Sequence, residues 1–374
     1  MAQTTSTERD HRLLGRTLEL AAQARGHTSP NPLVGAVVAR GERVLGEGFH
    51  TRAGEPHAER EALAACSEDP AGATLYVSLE PCCHEGRTPP CTEAIIEAGI
   101  RRVVVASDDP TPKAAGRGLG ILRDEGIAVE MVDGELGAAA RRINQAFRKH
   151  ARTGRPLVVF KSAMTLDGKV ATRTGSSQWI SGEASRARAH RWRAESDAVA
   201  VGIHTATADD PLLTARVEGV GRQPRRVVFD SEASLPLDSQ LVRSAGETPV
   251  VVVCSRASKR TATEALEAAG VEVITASGGN EAARVGDALD QLGAAGVQSL
   301  LLEGGPHLAG VFLEAGEIDE VRMFIAPLLV GGRDAKAAVS GQGVETIDDA
   351  IRTRDTQVER IDDDVLITAT VKEW

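Results

Sequence analysis

The chain has 374 residues and a formal net charge of −10, with 42% hydrophobic, 26% charged and 3% aromatic residues. This is the composition of a globular protein, and the length exceeds one ordinary core, so we expect two domains. The acidic net charge argues against nucleic-acid partners. No apolar run approaches the ~20 residues of a membrane span, so we expect no membrane partner. The polar N-terminus has no signal-peptide segment, which predicts a cytoplasmic protein.

Helix and strand patterns alternate from about residue 10 to residue 150. The first is an amphipathic helix over 10–26, followed by the apolar run Val34–Ala39, which has the pattern of a buried strand and ends in a turn containing Gly41. Beyond it the patterns predict helices over 57–66, 92–98 and 119–124, and strands over 74–78, 102–107 and 127–132. Strands alternating with short helices indicate an α/β layer fold.

A basic segment, 148–156, contains Gly154 and Pro156 and has the character of a joint between two domains, 1–152 and 153–374. A second alternation follows it. The patterns predict strands near 157–162, 197–202, 225–230, 249–254, 271–275 and 298–303, helices near 182–195, 261–269 and 281–295, and late strands within 317–330 and 365–371.

The first domain contains His57, Glu59, Cys82 and Cys91, a set typical of catalytic zinc. One imidazole and two thiolates can hold the ion and leave its fourth position open for water. The glutamate two residues after the histidine is placed to move the protons of that water as general acid/base. His57 alone would be an ordinary surface imidazole, whereas the combination predicts a deaminase centre.

Two features leave alternatives open at this point. Residues 83–90 separate Cys82 from Cys91, where the general deaminase signature has two intervening residues, and Cys83 offers a competing thiolate. One alternative is a structural zinc site with Cys83 or His84 as the fourth ligand. Another is a base-editing deaminase that acts on RNA or DNA, against which the net charge of −10 argues.

In the second domain, the segment 300–303 reads as a strand that enters the turn Gly304-Gly305-Pro306-His307 and then a helix. Free N–H groups at such a turn can hold a phosphate, but a plain strand-to-helix connection has the same pattern. Without further information, this half of the chain is an α/β domain that could bind a nucleotide.

Several motifs of the chain resemble those of one enzyme family. The loop Pro81–Cys91 (PCCHEGRTPPC) resembles the E-P-C-x-H-x-G-R-T-P-P-C loop of the riboflavin-pathway pyrimidine deaminase. Further similar motifs are PNPLVGAV at 30–37, GFH at 48–50, PHAE at 56–59, KSAMTLDGK at 161–169, SQWI at 177–180 and TATADDP at 205–211. Over about 10–370 the chain resembles the bifunctional riboflavin biosynthesis deaminase/reductases.

The resemblance implies a fold and an activity for each domain. The first would be a cytidine-deaminase-like three-layer α/β domain, and the second a dihydrofolate-reductase-like α/β domain. The first would deaminate 2,5-diamino-6-ribosylamino-4(3H)-pyrimidinone 5′-phosphate, and the second would use NADPH to reduce the ribosyl group, giving 5-amino-6-ribitylamino-uracil 5′-phosphate. The family forms homo-oligomers, so the resemblance implies a dimer or a tetramer.

In the deaminase domain the resemblance implies that Asn31, His50 and His84 contact the base or the sugar phosphate. Asn31 lies between two prolines, so a structural role in a turn stays open. The family commonly has Asp-Pro-Asn-Pro where this chain has Asp109-Pro110-Thr111-Pro112, and the ribose contact expected of that asparagine falls on Thr111.

In the reductase domain the resemblance implies two groups of residues. NADPH would be bound by Ala163, Trp179, Thr205, Asp209, Ser231, Gly305, Pro306, His307, Leu308, Ala309, Gly310 and Val311. The substrate would be held by Lys161, near the sugar, and by Ser177, Arg193, Leu213, Arg216 and Glu303. A guanidinium can bind a phosphate through two hydrogen bonds, although either arginine could also be a solvated surface charge and Trp179 a core residue.

Overall fold

A computed structural model describes residues 2–85 and 89–374, with the side chains of 2–7 left out. The chain divides between Thr153 and Gly154 into two compact units. Unit 1 comprises the residues up to Thr153 together with Trp374, and unit 2 comprises Gly154–Glu373.

Unit 1 is an alternation of short strands and helices. Its elements are α1 (Ala2–Ala22), β1 (Gly35–Arg40), β2 (Arg43–Phe49), α2 (Ala58–Ala64), β3 (Thr74–Val77), α3 (Cys91–Glu97), β4 (Arg102–Val105), α4 (Arg117–Asp124), β5 (Ala128–Met131), α5 (Glu135–Ile143) and α6 (Gln145–Thr153). The strands form one sheet in the order β2-β1-β3-β4-β5. β1 is antiparallel to β2 and β3, whereas β3, β4 and β5 are parallel.

Helices cover both faces of this sheet, which makes unit 1 a three-layer structure. Alternate residues of each strand enter opposite cores, as the two-residue period of a strand requires. On one face Val38 and Val103 pack with α2, α3 and α4, and on the other Val37 and Val104 pack with α1 and α5. Because both of their faces are buried, the central strands β1, β3 and β4 are largely apolar, as the sequence pattern predicted.

Unit 2 contains the longer second alternation. Its elements are β6 (Leu157–Thr165), β7 (Lys169–Ala171), α7 (Glu183–Glu195), β8 (Ala198–Gly202), α8 (Ile203–Asp209), β9 (Arg225–Phe229), α9 (Gln240–Arg243), β10 (Val250–Ser255), α10 (Arg260–Ala268), β11 (Glu272–Ala276), α11 (Glu281–Ala294), β12 (Ser299–Leu302), α12 (Pro306–Glu314), β13 (Glu320–Ala326), β14 (Lys336–Ala337), a 3-10 turn (Ile347–Asp349), β15 (Arg354–Ile361) and β16 (Asp364–Thr370).

Its main sheet has the strand order β11-β10-β9-β8-β12-β6-β13-β16-β15. All neighbouring pairs from β11 to β13 are parallel, and β16 then runs antiparallel to both β13 and β15. A core of Val, Leu and Ala lies between this sheet and the helices α11 and α12. The parallel centre brings the carboxyl ends of β6, β8, β9 and β12 to one edge, where open α/β sheets bind their ligands.

The predicted α/β fold class is confirmed, but several elements were not predicted. β2 was not predicted because it contains glycines, which have a low β propensity. A Cβ on Gly46 would lie 2.3 Å from the carbonyl oxygen of Ala62 in α2, so the close approach of that helix requires glycine. The segment of α6 resembled a linker because its buried side chains include Arg148 and Lys149. The elements α5, β7, α8, α9, β14 and β15 were missed as well. α1 covers 2–22, where the pattern predicted 10–26.

No helix among the described residues is both long enough and apolar enough to cross a lipid bilayer.

Two glycines at the contact of α1 with β1 give a test of the packing in unit 1. A Cβ on Gly35 would lie 2.1 Å from the carbonyl oxygen of Thr17, whereas a Cβ on Gly15, within α1, would meet nothing within 4 Å. We expect Gly35→Ala to lower the free energy of unfolding of unit 1 by about 3 kcal/mol, because backbone must move.

The matched control, Gly15→Ala, should raise that free energy by about 1 kcal/mol, because alanine is the better helix former. Urea unfolding followed by circular dichroism measures both. Equal effects of the two substitutions would contradict the described contact of α1 with β1.

Candidate active sites in the two units

Three potential metal ligands of unit 1 meet in space. The ligand atoms of His57, Cys82 and Cys91 all lie within 4.8 Å of one another. The Nδ1 atom of His57 is 3.4 Å from the Sγ atom of Cys82 and 3.3 Å from the Sγ atom of Cys91. A tetrahedral zinc ion with bonds of about 2.0–2.3 Å requires ligand separations in this range.

Secondary structure fixes each of the three ligands. His57 is the N-cap residue of α2, Cys91 is the first residue of α3, and Cys82 lies in the segment that follows β3. The backbone N–H of Cys91 donates to the carbonyl oxygen of Cys82 at 3.1 Å and approaches its sulfur at 3.4 Å. The two cysteines are therefore held together although residues 83–90 separate them. Residues 86–88, part of the predicted motif loop, lie outside the described residues.

A hydrogen bond links the two ligand sulfurs, with the Cys91 thiol as donor and Cys82 as acceptor. The hydrogen bond from Cys91 lowers the pKa of Cys82 to about 4, although burial opposes that shift, and the thiolate so formed raises the pKa of Cys91. A divalent cation bound to both sulfurs would replace the proton of this hydrogen bond and stabilise two thiolates at once. The donor set therefore fits zinc.

Glu59 is the second residue of α2, directly after Ala58, and it is 3% exposed. Burial raises the pKa of its carboxyl to about 7, and the negative charge on Cys82 adds to the rise. A carboxyl group with a pKa near neutrality can both accept and donate a proton, which is the property that general acid/base catalysis needs.

Asn31 and His50 are brought together beside the ligand cluster. The Nδ1 atom of His50 lies 3.0 Å from the carbonyl oxygen of Pro56, an acceptor only, so Nδ1 carries the proton. The Nε2 atom then accepts from the Nδ2 group of Asn31 at 3.0 Å. Burial lowers the pKa of His50, in agreement with a neutral ring, and this ring meets the ring of His57 edge-on at 5.3 Å.

The remaining candidates of unit 1 lie around this centre. Cys83 is directed to the carbonyl oxygen of Lys113 at 3.7 Å and His84 is exposed, and among the described residues neither belongs to the ligand cluster. The backbone N–H of Thr111 donates to the carboxylate of Asp109 at 2.8 Å, which closes the turn where the family has asparagine.

Glu80, which directly precedes Pro81-Cys82, was not predicted from the sequence as a residue of this site. Its buried carboxylate accepts hydrogen bonds from the backbone N–H groups of Gly116 at 3.0 Å and Gly118 at 3.2 Å. A Cβ on Gly118 would lie 2.2 Å from the carbonyl oxygen of Pro81. The start of α4 is thus fixed against the segment that carries Cys82. The Glu-Pro-Cys sequence was the only signal for this role.

In unit 2 the predicted residues gather at the carboxyl ends of the parallel strands. Lys161 and Ala163 lie on β6, and the others follow β8, β9 and β12: Thr205 and Asp209 on α8, Ser231 after β9, Glu303 after β12 and 305–311 at the start of α12. A Cβ on Gly305 would lie 3.1 Å from the Oγ1 atom of Thr205, so the glycine turn closely approaches α8. The first N–H groups of α12 have no partner within the helix, and they fit a phosphate of a dinucleotide.

Glu303 forms the charged centre of this edge, and its side chain is 8% exposed. Arg193 donates to it through Nε at 2.6 Å and Nη2 at 2.9 Å, and the Nζ atom of Lys161 lies 3.5 Å away. Burial alone would favour the neutral acid, but Arg193 and Lys161 lower the pKa of Glu303 to about 2. Arg193 therefore uses its Nε and Nη2 groups, a pair that could bind a phosphate through two hydrogen bonds, to bind Glu303 instead.

Four further candidates of unit 2 lie on loops. Trp179 is 66% exposed, with the guanidinium of Arg186 stacked 4.6 Å from its ring centre, so the alternative of a core tryptophan is wrong. Ser177 is half-buried, Leu213 is buried and Arg216 is exposed. The backbone N–H of Arg216 donates to the Nδ1 atom of His190 at 3.3 Å.

Comparison with known families assigns one family to each unit. Residues 7–107 match the family model of the cytidine and deoxycytidylate deaminase zinc-binding region, and residues 156–367 match that of the RibD C-terminal domain.

Similar full-length proteins are known. The chain is 42% identical to the riboflavin biosynthesis protein RibD of Actinobacillus pleuropneumoniae, over 98% of this chain and 96% of the relative, and 38% identical to that of Escherichia coli K12, over 96% and 98%.

Solved structures agree with these similarities. The RibD structure of Acinetobacter baumannii superposes with a TM-score of 0.85 at 36% identity, covering 98% of this chain and 99% of that one. A diaminohydroxyphosphoribosylaminopyrimidine deaminase/5-amino-6-(5-phosphoribosylamino)uracil reductase of Thermotoga maritima superposes with a TM-score of 0.84 at 33% identity and the same coverage.

The charge pairing in unit 2 generates a stability prediction. Glu303→Gln leaves Lys161 and Arg193 without their carboxylate, so we expect the free energy of unfolding of unit 2 to fall by about 3–5 kcal/mol at neutral pH. Because the pKa of Glu303 is about 2 in the folded chain and near 4.5 otherwise, this difference should be constant above pH ~4.5 and shrink as the pH falls toward 2.

Thermal unfolding from pH 7 to pH 3 measures the difference, and Glu195→Gln, at an exposed position on α7, is the control. A difference that grew on acidification would contradict the assigned ion pair.

Proposed function

The chain belongs to the RibD family of riboflavin biosynthesis proteins, bifunctional deaminase/reductases, and we propose the substrate and the residues with which it performs each reaction. The substrate of the first reaction is 2,5-diamino-6-ribosylamino-4(3H)-pyrimidinone 5′-phosphate, deaminated in domain 1–152. NADPH-dependent reduction in domain 153–374 then gives 5-amino-6-ribitylamino-uracil 5′-phosphate. The observation that carries this proposal is the three-ligand cluster with Glu59 beside it.

The deamination depends on His57, Cys82 and Cys91 as ligands of zinc. The ion, when bound, supplies Lewis acidity that activates water. Glu59 accepts the proton of the attacking water on its carboxylate and later donates it to the departing amino nitrogen. Its pKa of about 7 supports both roles, because neither the acid nor the carboxylate is strongly disfavoured at neutral pH.

Asn31, His50 and His84 bind the pyrimidine and its ribose phosphate. The neutral ring of His50 orients the amide of Asn31 through the 3.0 Å contact, which supports a fixed direction for the remaining amide groups. His84, being exposed, is available to the phosphate end of the substrate. Thr111 closes its own turn and is assigned no substrate contact.

The reductase site binds NADPH at the carboxyl edge of the sheet of unit 2. The cofactor supplies the hydride to C1′ of the ring-opened sugar. The residues assigned to it are Ala163, Trp179, Thr205, Asp209, Ser231 and 305–311. The exposed ring of Trp179 offers a flat surface for a ring system of the cofactor. The N–H groups at the start of α12 suit one of its phosphates.

Lys161, Ser177, Arg193, Leu213, Arg216 and Glu303 hold the substrate of the reduction. Glu303 holds the amino group of Lys161 in place for the sugar, since the Nζ atom lies 3.5 Å from the carboxylate. Arg216 is exposed and suits the dianionic phosphate. Arg193 contributes positive charge to this region while its guanidinium remains bonded to Glu303.

Replacing Glu59 should separate the two activities. Glu59→Gln removes the proton carrier but no ligand, so we expect ammonia release to fall by about 10²–10⁴-fold while zinc content stays the same. Reduction of the deaminated substrate, followed as NADPH absorbance, should be unchanged.

Glu61→Gln, two residues along α2, is the matched control and should retain both activities. Undiminished ammonia release by the Glu59 variant would refute the assignment of the general acid/base.

The exposed edge of the sheet in unit 2 supports a homo-oligomer. β15 is the last strand in the order, and all its residues except Ile361 are exposed, including Val358 at 69%. An open strand edge is a template for pairing with another strand, and a second copy would offer the identical edge. We therefore assign the subunit contact of a dimer or a tetramer to β15.

Charge at this edge should oppose the pairing. Val358→Arg is expected to shift the chain to a monomer in light scattering coupled to size-exclusion chromatography, because like charges would meet across the two-fold axis. Val44→Arg, at an exposed valine on the edge strand β2, is the control and should leave the mass unchanged. An unchanged assembly of the Val358 variant would exclude β15 as the contact.

A further inference from the structure

Asn144 is a buried asparagine at the junction of α5 and α6, and it is 3% exposed. Asparagine is favoured at helix ends where the backbone is left-handed, but here φ is −111°, so the backbone does not require this residue. Its role must therefore come from its side chain.

Both polar atoms of that side chain bind the backbone of one distant residue. The Oδ1 atom of Asn144 accepts from the N–H of Leu33 at 2.8 Å, and the Nδ2 group donates to the carbonyl oxygen of Leu33 at 2.9 Å. Pro30 and Pro32 carry no N–H, so the segment 30–33 has few donors by which the fold can hold it. The N–H of Asn31 binds the carbonyl oxygen of Thr28 at 2.8 Å, and that of Leu33 binds Asn144.

A continuous series of contacts leads from this clamp to the metal ligands. The side chain of Asn31, two residues before Leu33, contacts the ring of His50 at 3.0 Å. His50 contacts the carbonyl oxygen of Pro56 at 3.0 Å, and Pro56 precedes the ligand His57. A shift of the segment 30–33 would therefore move the amide of Asn31 relative to the reacting centre.

We infer that Asn144 is a positioning residue of the deaminase: it fixes the backbone of Leu33 and thereby holds the amide of Asn31 in the direction that the substrate requires. The inference rests on the proposed binding of substrate by Asn31. It assigns to α5 and α6, which contribute no ligand or general acid/base, a share in substrate recognition. Asn144 touches neither the substrate nor the metal in this role.

A double-mutant cycle on the full chain tests this role. Asn144→Ala should lower kcat/KM for ammonia release by about 10- to 100-fold, mainly through KM, because a displaced contact group binds the substrate less well. Asn31→Ala should have a similar effect, and the double variant should be no worse than Asn31→Ala alone, since Asn144 acts through Asn31. Asn144→Asp keeps the acceptor and loses the donor, so its kcat/KM should lie between those of the unmodified chain and Asn144→Ala. This variant replaces Asn144→Ala in the test if the alanine variant does not fold.

Zinc content reports whether unit 1 is folded, and reduction of the deaminated substrate in unit 2 reports the amount of intact chain; both should be unchanged in all these variants. Asn280→Ala removes a side chain that caps α11 in unit 2 and should leave ammonia release unaffected. Unchanged kcat/KM in Asn144→Ala and Asn144→Asp, multiplicative effects in the double variant, or a parallel loss of reductase activity would each overturn the inference. Failure of Asn31→Ala to affect KM would instead refute the proposed substrate contact itself.

Discussion

The convergence of one imidazole nitrogen and two sulfurs within 4.8 Å is the constraint on which the rest of unit 1 depends. The three ligands come from different segments: His57 and Cys91 are placed by α2 and α3, which pack on the same face of the sheet, and Cys82 follows strand β3 of that sheet. Ala58 and Ala62 of α2 and Ile95 of α3 belong to the core beneath the ligands. Small side chains let these helices approach the sheet closely, so the packing of the core sets the distances at the metal site.

Two buried glutamates show how the same side chain acquires different chemistry. Glu59 is buried near the negatively charged sulfur of Cys82. Burial and this charge raise its pKa to about 7, which allows it to carry a proton. Glu303 is enclosed between Arg193 and Lys161, and its pKa falls to about 2, which makes it a permanent anion. Burial is common to both, so the charge of the neighbours decides which carboxyl can move a proton and which can only orient other groups.

Much of this was predictable from the sequence because the signals are local. The ligands and Glu59 lie within a short stretch, and the parallel strands are continuous apolar runs. The pairing of Arg193 with Glu303 spans 110 positions, and that of Asn144 with Leu33 spans 111. Neither contact leaves a local pattern. β2 was missed because Gly46 and Gly48 weaken the strand signal, although their lack of a Cβ is what admits α2.

The open coordination position is the central claim, since a closed four-ligand site could not activate water. X-ray absorption at the zinc edge of the purified protein tests it directly by counting sulfur ligands. We expect two sulfurs at about 2.3 Å and two nitrogen or oxygen atoms at about 2.0–2.1 Å, the latter from His57 and water. A third sulfur, which Cys83 would have to supply, or a preparation without stoichiometric zinc would contradict it.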